Sequence, residues 1–193
     1  MELIVVSRHA HSTLNEAQRV NGDPSVPVPL TDPGRLEARR LGDQLANLPL
    51  DLVIHTSFGR TRETAEIALE GRDVPTAVEP LLDDIKIGDL EGRQIEEYRA
   101  WKREHKRADR FPGGESLDEA ARRYAQAWER VAAREERAIL VVCHEIPLRY
   151  ALNGASGSDD LDSPVHDIAN ATPYLFTHEA LTAAAVRIAE LVP

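Results

Sequence analysis

The sequence predicts an α/β fold, a three-layer α/β/α sandwich on a mainly parallel sheet. Three observations predict it. The short apolar runs Leu3–Val6, Asp51–His55 and Ala138–Cys143 are rich in branched residues and lack polar alternation, as strands covered on both faces do. Helical patterns separate these runs, so the strands must be joined by crossovers with helices on the faces. The composition, 42% hydrophobic and 29% charged over 193 residues, is that of an ordinary globular chain. A chain of this length buries roughly 70% of its unfolded surface, and residues 1–193 are read as a single domain.

In chain order, Leu3–Val6 is the first strand and a polar loop with Pro24, Pro27 and Pro29 follows. The helix after it starts at a Thr31 or Asp32 cap with Pro33 in its first turn. Leu36, Arg40, Leu41, Leu45 and Leu48 recur along it at helical spacing. Asp51–His55 is a second buried strand, and residues 60–69 read as a helix. Residues 79–90 hold a turn and a short strand. Residues 95–107 form a charged helix anchored by Tyr98 and Trp101. The FPGGES break leads to a helix capped by Ser116 or Asp118 and running to about Arg134. Ala138–Cys143 is the third buried strand, Pro147–Leu152 is helical, and GASGSDDLDSP is a loop. The final stretch from Thr172 is read as strands in preference to a helix.

A net charge of −10 argues against general nucleic-acid or anionic-membrane binding, although a local cation cluster can still take a small anion. The single cysteine, Cys143, rules out a disulfide framework and suits a reducing cytoplasm. The first residues lack a basic n-region, and no apolar stretch nears the roughly 20 residues that span a bilayer.

In a doubly wound sheet, sites form beyond the carboxyl ends of the strands. Arg8 and His9 follow the first run, Arg60 follows the second, and His144 follows the third. Three strands therefore deliver cationic or imidazole groups to one edge. Two chemistries are open. His9, His11, His144 and Glu145 are possible zinc or iron ligands, but Arg8 and Arg60 would crowd a metal ion. Alternatively, a neutral imidazole attacks phosphorus while arginine forks and a second imidazole hold the phosphoryl oxygens. That route needs a nearby Asp or Glu to protonate the leaving oxygen.

RHAHSTLN resembles the Arg-His-Gly-Glu-Thr-x-x-Asn signature of the histidine phosphatase superfamily, the phosphoglycerate mutase-like proteins. VPLTDPGRLEARRLGDQL, TSFGRTRETAEIA, LLDDIKIGDLEGR, FPGGESLDEAARR and ILVVCHEIPLR resemble further segments of that family, in the same order. The resemblance implies a phosphoglycerate mutase-like fold, no metal and no cofactor. It implies His9 as nucleophile, Arg8, Arg60 and His144 as phosphoryl clamps, Asn15 as a further donor, and Asp84 in the slot of the proton-donating glutamate. Asn21, Lys86 and Asn170 are additional candidates for substrate contact, as is Glu145.

Four positions depart from the pattern. Ala10 replaces a glycine, which predicts a tighter pocket. His11 replaces Glu or Gln and is read as a rim residue. Asp84 is one methylene shorter than glutamate. Glu145 replaces the glycine after the second histidine and should repel substrate unless it points away or pairs with an arginine. The implied activity is a metal-independent histidine acid phosphatase-type hydrolase acting on a small phosphorylated molecule, without nucleic-acid or membrane partners. A mutase sharing the phosphohistidine intermediate, and a non-catalytic phospholigand binder, are the alternatives; oligomeric state is not encoded legibly. Arg62 is read as a solvated helix charge, Cys143 as a buried strand residue, and the acidic run from Asp159 as a solvated loop.

Overall fold

Alternate residues of the buried runs feed two separate cores, and this organises the layers. In the computed structural model, residues 3–163 and 165–192 are described. Strands β1 (Leu3–Arg8), β2 (Leu52–His55), β3 (Thr76–Val78), β4 (Ala138–Cys143) and β5 (Pro173–Phe176) form one sheet in the order β3-β2-β4-β1-β5. All neighbours are parallel except β1 and β5, so the sheet is mainly parallel with an antiparallel edge.

Ile4, Val6, Ile54, Ile139 and Val141 face one core with Trp128, Tyr124, Leu148 and Leu181. Those partners come from α5 (Leu117–Ala132), α6 (Glu145–Ala155) and α7 (His178–Glu190). Val5, Val53, Leu140 and Val142 face the other core with Ala38, Leu41 and Ala65. Those lie on α2 (Asp32–Gln44) and α3 (Gly59–Ala68). The period-2 alternation of a strand supplies both sides because residues 3–6, 52–54 and 138–143 are all apolar. Short α1 (Thr13–Glu16) and α4 (Ile95–Glu104) lie over the carboxyl end of the sheet among the loops. Among the described residues, no helix is long and apolar enough to cross a membrane.

Local chemistry sets the helix starts. Thr31 caps α2 by accepting from Gly34 N, and Ser116 caps α5 in a reciprocal box with Glu119. Trp128, fully buried on α5, donates its indole N–H to the Pro147 carbonyl at 3.1 Å.

Three expectations are corrected. The chain after Phe176 is a helix, not a strand. Thr177 accepts from Ala180 N as its cap, and Leu181, Ala184, Ala185 and Ile188 bury one helical stripe. Alanine-rich sequence favours that choice over a second edge strand. Leu36 is 52% exposed on α2, because Ala38, Leu41 and Gly34 form the buried stripe instead. Residues 79–90 form two 3₁₀ turns, Pro80–Leu82 and Gly88–Leu90, while the short strand lies just before them at Thr76–Val78. Pro80 removes a backbone donor and breaks the ladder there.

Candidate active site

The carboxyl ends of β1, β2 and β4 are neighbours in the sheet, and they bring Arg8, His9, Arg60 and His144 together. Register fixes the outer pair: Arg8 ends β1 opposite Cys143, and His144 is the next residue after β4. Arg60 enters from the first turn of α3. Asp84 comes from the segment after the 3₁₀ turn Pro80–Leu82. All but His144 line a cavity of about 310 Å³ that also contacts Asn15, Asn21, Tyr98, Lys102, Glu145 and Arg149.

His9 is buried, and its Nδ1–H donates to the Ala10 carbonyl at 2.8 Å. This tautomer follows from the partner, since a carbonyl only accepts. Nε2 therefore keeps its lone pair, which accepts from Arg60 Nε–H at 3.1 Å. Burial chiefly, with help from the nearby charges of Arg60 and Arg8, holds the His9 pKa well below its ordinary 6.5. The ring is neutral at pH 7. Asn170 fixes it from behind by donating to the His9 carbonyl at 2.6 Å.

Arg60 is the centre of the cluster. Besides His9, it donates to Asn21 Oδ1 at 2.5 Å, to Asp84 Oδ2 at 3.2 Å and to His144 Nδ1 at 3.2 Å. His144 is fully buried, and its Nε2–H donates to Thr56 Oγ1 at 2.9 Å. The edge of its ring meets Phe58, whose face lies 4.3 Å from the Arg60 guanidinium carbon. Burial first, then Arg60 and His9, lower its pKa well below 6.5. Asp84 is pushed the other way. Burial raises its pKa from 3.8, although Arg60 opposes the shift. The site thus favours neutral imidazoles and makes protonation of Asp84 easier than in water.

Glu145 does not stand free beside the cluster. Its carboxylate pairs with Arg8 at 3.1 Å and Arg149 at 3.3 Å. Arg8 also donates to the Ile168 carbonyl at 2.9 Å. Ala10 contradicts the expected narrowing of the pocket. Its side chain packs in the α2/α3 core with Leu30, Ala38 and Leu41, and its N–H donates to Thr64 Oγ1 at 3.0 Å. It does not line the cavity. Asn15 does line it, yet its Oδ1 accepts from Ser12 N and Ser12 Oγ. Asn21 is engaged in full: Oδ1 by Arg60, Nδ2 by the Asp23 carbonyl and Glu91. Lys86 is exposed and outside the cavity wall. His11 Nδ1 lies 3.0 Å from Thr31 Oγ1, and its N–H donates to Glu37.

Sequence reasoning missed Thr56, Phe58, Thr64 and Glu91. Thr56 and Phe58 sit in the same strand-to-helix turn as Arg60, so their position beside it was readable. Glu91 is far along the chain from that turn and meets Asn21 and the Gly22 N–H only through tertiary folding. Among the described residues, no group of His, Cys, Asp and Glu side chains could hold a metal ion.

The pattern of the histidine phosphatase superfamily (branch 1) matches residues 4–190. The chain belongs to the histidine phosphatase superfamily. Its relatives in that superfamily include both phosphatases and mutases. It is 32% identical over 148 residues to the adenosylcobalamin/alpha-ribazole phosphatase of Salmonella typhimurium, covering 72% of this chain and 71% of that protein. It is 29% identical over 153 residues to a probable phosphoglycerate mutase of Erwinia tasmaniensis, covering 75% and 70%. The crystal structure of the alpha-ribazole phosphatase from Shigella flexneri superposes with a TM-score of 0.79 at 24% identity, over 90% of this chain and 89% of that one. This histidine phosphatase superfamily member is therefore an enzyme of phosphoryl chemistry on the fold expected from its sequence.

Proposed function

We propose that the chain, acting as one domain over residues 1–193, is a metal-independent phosphomonoesterase of the histidine acid phosphatase type, working on a small phosphorylated molecule in the cytoplasm. One observation carries this reading. The neutral His9 Nε2 lone pair accepts from the Arg60 guanidinium in a cavity that Arg8 also lines and that holds a carboxyl group biased towards protonation.

Binding of a phosphomonoester transfers Arg60 and Arg8 from their resting partners to the phosphoryl oxygens, which uncovers the Nε2 lone pair. His9 Nε2 attacks phosphorus as the ester P–O bond breaks. Asp84 gives its proton to the departing alkoxide, so an alcohol leaves. The Nδ1–H bond to the Ala10 carbonyl steadies the positive phosphohistidine ring. Asp84, now ionised, takes a proton from water as the water oxygen attacks phosphorus, and His9 is restored. Arg8 and Arg60 supply the positive charge that a metal ion would otherwise bring. Arg19, Arg99, His166 and Asp167 at the mouth are exposed, which supports access of water to the intermediate and favours hydrolysis over transfer.

Turnover of p-nitrophenyl phosphate in the presence of EDTA tests the proposal. Phosphate release that persists in chelator and vanishes in His9→Ala supports it; loss of activity on chelation, or full activity in His9→Ala, overturns it. The similarity to a probable phosphoglycerate mutase favours one second reading, a mutase with the same intermediate. Transfer to a hydroxyl of 3-phosphoglycerate without net phosphate release would select the mutase.

A further inference from the structure

The wall of the cavity facing α4 carries donors that the phosphoryl cluster does not use. Tyr98 and Lys102 are one helical turn apart on α4 and share a face. Both line the cavity. Among the described residues, the Tyr98 hydroxyl has no hydrogen-bond partner, and Lys102 Nζ has neither a hydrogen-bond nor an ion-pair partner. Lys102 Nζ instead sits 5.4 Å from the Tyr98 ring centre. Arg149, on α6, completes the wall. Its side chain is 9% exposed, its terminal nitrogens reach Glu145 and Asp162 at 3.3 and 3.4 Å, and its buried Nε has no partner.

The acceptors around this wall are already matched. Glu145 is shared by Arg8 and Arg149, and Asp162 by Arg107 and Arg149. Asp167 is exposed at the rim and forms no ion pair with Lys102. Among the described Lys and Arg residues that line the cavity, Lys102 is the one without a hydrogen-bond or ion-pair partner. Buried donors without acceptors are rare in folded proteins, and a half-buried ammonium without a direct ion pair or hydrogen bond is costly. An anion at this wall would meet the Lys102 ammonium and the Tyr98 hydroxyl, with the charge of Arg149 beside them.

We propose that Lys102, Arg149 and the Tyr98 hydroxyl form a second anion subsite that holds an acidic group on the alcohol portion of the substrate. The preferred substrate class is then a small phosphomonoester bearing a second carboxylate or phosphate. This inference rests on the phosphatase reading of the cavity, because Asp84, as proton donor, marks the side on which the alcohol leaves. Asp84 lines the same cavity as Tyr98, Lys102 and Arg149, so the alcohol leaves into the space that the α4 wall bounds. Burial lowers the Lys102 pKa, and the charge of Asp162 works against that shift.

The test compares 3-phosphoglycerate with glycerol 3-phosphate, which has CH₂OH in place of the carboxylate on the same carbon skeleton. Binding is measured by calorimetry in His9→Ala, where no phosphohistidine forms, with and without Lys102→Met and Lys102→Arg. Methionine keeps the apolar stem beside Tyr98. The subsite predicts that 3-phosphoglycerate binds about tenfold tighter, a preference expected of one partly desolvated charge pair. Lys102→Met should reduce the preference to about twofold or less, and Lys102→Arg should retain it. Equal affinities in the parent, or a preference unchanged by Lys102→Met, would overturn the subsite. Phosphate release by the wild-type chain is a separate reading: none from either compound, with the binding preference intact, rejects the phosphatase and keeps the subsite.

Discussion

Glu145 offers the sharpest energetic prediction, because its carboxylate occupies Arg8 in the resting site. The pair is 3.1 Å long, with 18% and 36% of the two side chains exposed. At that distance the Coulomb attraction is about 5 kcal/mol at an effective dielectric of about 20, and about 1.3 kcal/mol in water. Exposure of Glu145 puts the real value near the lower figure. Substrate must compete with this contact for Arg8 and also meets the like charge of the carboxylate. Glu145→Gln removes both obstacles while keeping a side chain of the same size at the first position of α6. Arg8 retains the Ile168 carbonyl, and Arg149 retains Asp162. KM for p-nitrophenyl phosphate should therefore fall about tenfold, equivalent to about 1.4 kcal/mol, with a smaller fall at high ionic strength. Steady-state kinetics at two salt concentrations provide the measurement. A KM that stays level or rises would refute the competition and make Glu145 a positioning group for Arg8.

Three further outcomes follow from the same geometry. Asp84→Asn removes the proton donor without adding bulk, so kcat for an alkyl phosphate should drop by about 10²–10⁴. The loss should be far smaller for p-nitrophenyl phosphate, whose leaving group needs no proton; equal losses would remove Asp84 from the donor role. Ala10→Gly should leave KM unchanged and destabilise the fold by about 1 kcal/mol in urea melts, because the methyl lies in the α2/α3 core; a lower KM would place the methyl in the pocket after all. His9 and His144 have folded pKa values depressed below 6.5, so the unfolded chain binds more protons below that pH. Their contribution to stability is complete above pH 6.5 and is lost as pH falls through the window down to the folded values. The urea midpoint should drop between pH 7 and 5, and less so in His9→Gln; identical slopes would contradict the assignment of a buried neutral His9.

The order of strands and helices was legible because β1, β2 and β4 are buried on both faces and so carry uninterrupted apolar runs. β3 and β5 were harder. β3 is a three-residue edge with exposed Val78, and β5 is an edge with exposed Leu175, so neither bears a full apolar signature. α7 was misread because its alanines blur the helical stripe. Leu36 shows the reverse failure: a leucine at helical spacing that the packing leaves outside. Within the site, Arg8, His9, Arg60 and His144 were legible because each follows a buried strand or starts the helix after one. Asn21 and Asn170 were legible as polar residues but not as supports, because what they hold, Arg60 and the His9 carbonyl, is set by long-range contacts. Pairing of Glu145 with an arginine was open from the sequence, and Arg149 stands at the i,i+4 spacing on α6; Arg8, at the end of β1, reaches it only through the β1–β4 pairing.

The central claim is that His9 Nε2 carries the phosphoryl group. Rapid acid-free quenching of the wild-type chain during turnover of a ³²P-labelled phosphomonoester tests it most directly, followed by denaturation and mapping of the label. The account predicts one acid-labile, base-stable phosphate on the peptide containing His9, absent in His9→Ala. Release of phosphate with no labelled intermediate, or label on any residue other than His9, would contradict it.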